Sequence, residues 1–128
     1  MGQKDVSTLV ESTGGQLKYN RIIEKTITDS GTDNDANIDF TGMTFEGGRT
    51  KVNHIRIIND GGVNDVFFVF DALASTINTA EVSEIPTTYN GKAYAGSPFT
   101  EIGYDGEADS IGLRCAAGKS TTVKILIW

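Results

Sequence analysis

The feature that most constrains this chain is a pair of short alternating apolar runs, HIRIIN (54–59) and DVFFVFD (65–71), separated by NDGGVND (59–65). Alternation with a period of two marks β-strands, whose successive side chains point to opposite faces. The first run alternates around Ile55 and Ile57, and the second sets Val66, Phe68 and Phe70 against Phe67 and Val69. Glycine, Asn and Asp between them tolerate positive φ, so the two strands are expected to form an antiparallel hairpin. Apolar residues on both sides of 66–70 imply that both faces of this strand are covered, by a helix, a loop or a neighbouring subunit.

The same texture extends along the chain. Strands are expected at 17–28, 38–45, 52–59, 66–71, 110–115 and 121–128, with weaker ones at 75–85 and 93–102. TTVKILIW places Val123, Ile125 and Ile127 on one face and Lys124, Leu126 and Trp128 on the other, and SIGLRC aligns Ile111, Leu113 and Cys115. The linking AAGKS predicts a second hairpin. Fifteen glycines against two prolines punctuate these runs, which predicts an all-β, antiparallel β-sandwich of about eight strands, jelly-roll or immunoglobulin-like. Residues 1–16 are polar apart from Val6, Leu9 and Val10 and read as an N-terminal arm; 17–128 read as a single domain.

Charge and cysteine usage narrow the function classes. A net charge of −6 repels phosphate backbones, so nucleic acid is not an expected partner. Cys115 is the only cysteine, which excludes an intrachain disulfide and fits a small buried thiol. Neither a signal-peptide-length nor an 18-residue apolar run occurs, so a soluble protein made in a reducing compartment and without membrane contact is expected. Val6 stands where an N-myristoylation pattern needs Ser or Thr.

Candidate chemistries fail on spacing. GKST at 118–121 lacks the first glycine of a phosphate loop, which would fall at Leu113, and a strand follows it instead of a helix. DNDANID spaces Asp33, Asp35, Asn37 and Asp39 like a calcium loop, but Ile38 replaces its glycine and Thr44 its bidentate glutamate. A solvated acidic loop is expected there, with a looser calcium site around Asp29, Asp33 and Asp35 as the alternative. His54 is the only histidine, so neither a zinc site nor a Ser-His-Asp arrangement can be assembled convincingly, and it reads as a strand-edge residue. Asp105 and Glu107 in YDGEAD read as a turn before they read as a carboxylate pair. The expectation is no enzyme, no metal and no cofactor. Trp128, Tyr89, Tyr94 and Tyr104 would suit sugar stacking or a protein interface.

At IRIINDGGVNDVFFVFD (55–71) and STTVKILIW (120–128) the chain resembles small structural proteins of tailed bacteriophage virions, over 52–128 in all. The resemblance implies a β-sandwich or jelly-roll subunit that decorates or cements a capsid, or that joins a neck, tail or fibre. Its partners would be the major capsid protein or tail and fibre proteins, and its place the virion after synthesis in the host cytoplasm. Homo-oligomerisation is expected, with a carbohydrate-binding module for a glycan as the rival reading. The doubly apolar strands nominate Phe67, Val69, Leu126 and Trp128 as interface residues, with Trp128 as anchor.

Overall fold

Burial alternates with a period of two along 54–58 and 121–125 of the computed structural model, which describes residues 21–30, 36–59, 63–96, 100–103 and 108–128. The arm expected at 1–16 lies outside the described residues. Eight strands form: β1 (Arg21–Ile27), β2 (Asn37–Asp39), β3 (His54–Ile58), β4 (Val66–Phe70), β5 (Gly91–Ala93), β6 (Thr100–Gly103), β7 (Ser110–Arg114) and β8 (Thr121–Ile127). No α-helix occurs among the described residues, only short 3-10 turns such as 46–48 and 74–76.

Two four-stranded antiparallel sheets result, with orders β1-β8-β3-β6 and β2-β7-β4-β5. Strand pairs nest: β1 with β8, β2 with β7, β3 with β6 and β4 with β5. Nested pairing is the winding of a jelly roll, which an immunoglobulin-like sandwich does not have. The core lies between the sheets. Ile55 and Ile57 of β3 and Val123, Ile125 and Ile127 of β8 meet Val66 and Phe68 of β4 and Ile111 and Leu113 of β7. Burial of each such side chain contributes about 1.5–3 kcal/mol, which makes this apolar layer the main stabilising element.

Nesting overturns both expected hairpins. β3 and β4 lie in different sheets, and so do β7 and β8. Their inward faces approach across the core, so each glycine-containing linker leads from one sheet to the other. In 116–120 the arch turns at Gly118, with φ of 75°, while the Lys119 N–H donates to the Ala116 carbonyl at 2.9 Å. The run expected at 38–45 is a strand only to Asp39, whose carboxylate accepts from the Thr41 N–H and hydroxyl at 2.9 and 2.7 Å and turns the chain. The run at 93–102 divides into β5 and β6 on opposite sheets, and 75–85 is not a strand.

Asn59 fastens one end of the sandwich. It is fully buried, and its side-chain amide donates to the carbonyls of Asn64 at 2.9 Å and Ala93 at 3.2 Å. Its side-chain oxygen accepts from the Thr121 hydroxyl at 3.1 Å, and its backbone carbonyl accepts from Gly96 N–H at 3.0 Å. One side chain thus joins the exit of β3 to the approach of β4, the last residue of β5 and the first of β8. Asn59→Ala leaves three polar groups without this partner, and urea unfolding should register a loss of about 1–3 kcal/mol.

Candidate interaction surface

Strand β4 buries both faces. Val66 and Phe68 enter the main core, while Phe67 and Val69 form a second cluster with Ile77 and Tyr89. Tyr89 meets Phe67 edge-on at 5.0 Å, and the Lys92 ammonium lies 4.8 Å from the Phe67 ring centre. The cover over Phe67 and Val69 is therefore the chain's own 71–90 segment. This corrects the assignment of the two residues to a subunit interface: they are buried side chains, 6 % and 9 % exposed.

That segment is a strap across the outer face of the second sheet. Its first part rests on Gly112, where an added Cβ would come within 2.6 Å of the Ala74 nitrogen and 3.0 Å of the Ala72 carbonyl. The Asn37 side-chain oxygen accepts from Ala74 N–H at 2.8 Å, and Arg114 donates to the Ile77 carbonyl at 2.8 Å. Its second part is clasped by Glu81, whose carboxylate accepts from the Thr87 and Thr88 N–H groups, both at 3.1 Å, and from their hydroxyls at 2.8 and 2.9 Å. The Thr87 hydroxyl first, then the Thr88 amide, holds the Glu81 carboxyl down at about 2.

A strap so fastened presents apolar side chains outward. Leu73, Val82 and Ile85 are 61 %, 96 % and 81 % exposed, three of the five exposed large hydrophobics among the described residues. Sequence reading missed Val82 and Ile85 by taking 75–85 for a strand. The pattern held a warning, because a strand with Ile77 and Ile85 on one face would place Thr79, Glu81 and Ser83 between them.

The other nominated residues lie on the first sheet. Leu126 is buried, between Ile22 and Arg56 in register. Trp128 is half-buried and stacks on His54, with ring centres 5.1 Å apart and planes 18° apart. Its backbone exchanges hydrogen bonds with His54 at 2.8 and 3.0 Å, which fixes the anchor against β3. The four nominated residues thus fall on the outer faces of two different sheets.

The remaining candidates are dispersed. Tyr89 is buried, Tyr94 is exposed beyond β5, and Tyr104 lies outside the described residues, as do Asp33, Asp35, Asp105 and Glu107. The Asp29 carboxylate accepts from Gly118 N–H at 2.8 Å, which occupies a backbone donor in GKST with an anion of the protein's own. Among the described residues no group of three or more His, Cys, Asp or Glu is placed to hold a metal ion, and no helix is long and apolar enough to cross a membrane. Cys115 is fully buried in the core; burial, then the charges of Asp29 and Asp65, pushes its thiol up to about 11.

Three outcomes are expected. Gly112→Ala should lift the strap and cost about 1–3 kcal/mol in urea unfolding, because backbone rather than a flexible side chain blocks the added methyl. Glu81 has a lower folded pKa than its ordinary 4.5, so its stabilisation is complete above about 4.5 and disappears as pH falls towards 2. Amide protection factors across 78–88, taken relative to the intrinsic rate at each pH, should fall over that interval in the wild type, and Glu81→Gln should flatten the dependence. At pH 8 the Cys115 thiolate fraction is about a hundredfold below that of an ordinary thiol, so iodoacetamide should label it only after unfolding.

No family model, no curated protein and no solved structure matches this chain.

Proposed function

We propose that this chain is a non-enzymatic structural protein of a tailed bacteriophage virion, binding the capsid surface as a decoration or cement subunit through protein–protein contacts. The observation that carries the protein-binding reading is the strap, which holds Leu73, Val82 and Ile85 in the open. An apolar rim that is already fixed by the Glu81 clasp loses little conformational entropy when a partner covers it. The virion setting rests on the resemblance at 55–71 and 120–128, and self-association, with Trp128 at the contact, on the same reading.

Co-sedimentation with purified capsids, with native mass measured before and after, tests the proposal. Wild-type protein should pellet with capsids. The double variant Val82→Ser, Ile85→Ser should bind at least about tenfold more weakly while unfolding at the same urea concentration, since each lost apolar contact is worth about 1.5–3 kcal/mol. Trp128→Ala should lower the oligomer's stability and leave a folded monomer. Pelleting with tails or fibres and not capsids would move the subunit to that part of the particle; a monomer that pellets with none of them would overturn the proposal.

A further inference from the structure

Asn90 is the last residue before β5, and with Gly91 it makes the one Asn-Gly dipeptide in the chain. It fastens the far end of the strap to β4. Its backbone N–H donates to the Phe68 carbonyl and its side-chain oxygen accepts from the Phe70 N–H, both at 2.8 Å. The residue is exposed, and its Nδ2 makes no hydrogen bond among the described residues. Asn59 and Asn64 differ on both counts. The Nδ2 of Asn59 is held by two carbonyls and that of Asn64 by the Ser120 carbonyl, and each residue precedes an aspartate whose side chain crowds the next backbone nitrogen.

Deamidation begins when a backbone nitrogen adds to the side-chain carbonyl carbon of the asparagine before it and closes a five-membered ring. The addition is least hindered where that nitrogen belongs to glycine, which has no Cβ. At Asn90 the Phe70 N–H sits on the oxygen where negative charge develops as the ring closes, and a fixed backbone donor there stabilises the oxyanion. Packing retains the dipeptide. A Cβ on Gly91 would come within 2.7 Å of the Phe68 ring, so a larger residue has to displace a side chain of the main core.

We propose that Asn90 is a site of spontaneous deamidation in the folded protein, and that its isoaspartyl product releases β5 from β4. The Gly91 nitrogen gives up its proton to solvent base and bonds to Asn90 Cγ; the Cγ–Nδ2 bond breaks, and Nδ2 takes a proton from water and leaves as ammonia. Water then opens the succinimide. Breaking the bond from the ring nitrogen to Cγ gives aspartate, and breaking its bond to the backbone carbonyl carbon gives isoaspartate; nothing is oxidised or reduced. Aspartate keeps an oxygen for the Phe70 N–H. Isoaspartate runs the main chain through Cγ, which adds an atom before Gly91 and moves Lys92 and Ala93 off Phe67 and Val66. The Ala93 carbonyl is an acceptor of Asn59, so the loss of register reaches that buried amide as well. This chemistry is independent of whatever partner the strap meets.

The full chain, aged in mildly alkaline buffer, is digested with trypsin, and the peptide 57–92 is weighed and fragmented. A gain of one dalton should appear at Asn90 before any other asparagine and should divide into aspartate and isoaspartate, the latter labelled by isoaspartyl methyltransferase. Amide exchange of the aged protein should show a second, less protected population at 66–68 and 91–93, equal in size to the isoaspartyl fraction. Asn90→Ser has no side-chain carbonyl to attack and should show neither change. Absence of the gain in the folded chain, above all where urea-unfolded chain acquires it, or a gain confined to other asparagines, would overturn the proposal. An isoaspartyl fraction with unchanged protection at 91–93 would overturn the release of β5. The wild-type time course needs no variant and decides the matter if Asn90→Ser fails to fold.

Discussion

The hydrogen bonds of Asn59 are the constraint on which much of the remaining architecture depends. A sandwich held only by apolar contact between sheets leaves their relative translation weakly specified, because dispersion and the hydrophobic effect have no direction. Directional bonds from one fully buried amide to the approach of β4, the end of β5 and the start of β8 remove that freedom at one end. The Asn64 side chain adds a bond to the Ser120 carbonyl at 2.8 Å, and the Asp65 carboxylate accepts from Ala95 N–H at 2.8 Å. Loops at this end are therefore joined to one another as well as to their own strands.

At the second sheet the problem is different. Phe67 and Val69 would be an apolar patch on an open face, and the chain solves this with a strap that needs Gly112 beneath it and Glu81 across it. The strap in turn leaves Leu73, Val82 and Ile85 exposed. Val82 and Ile85 lie in the stretch that the Glu81 carboxylate closes on Thr87 and Thr88, so their backbone is held before any partner arrives.

Strand positions were legible in the sequence wherever β-branched and aromatic residues alternate, as at Ile55 and Ile57 or Val123, Ile125 and Ile127. Pairing was not. A linker such as NDGGVND or AAGKS has the same turn chemistry whether it closes a hairpin or arches between sheets. The choice depends on which inward faces meet, a matter decided by residues up to about a hundred positions away. The sequence also announced that Phe67 and Val69 are covered, without identifying the cover. Ile77 and Tyr89, which do the covering, sit among polar residues that conceal their common purpose. Glu81 gave no sign at all, since four hydrogen bonds to one carboxylate arise only once Thr87 and Thr88 are brought back to it.

Nested pairing also sets the order in which the molecule can come into being. Arg21 faces Ile127 across the β1–β8 ladder, so the first strand of the sandwich has to wait for the eighth. During synthesis β1 to β7 emerge while the centre of the first sheet, where β8 lies between β1 and β3, is still missing. Contacts this distant in sequence fold slowly and leave strand edges exposed in the interval. Of the four nested pairs only β4 with β5 joins consecutive strands, and the strap is the chain between them. The β4–β5 pair is thus the one that can close earliest, while the strap between them gains its seat on Gly112 and its bond from Arg114 only after β7 has emerged.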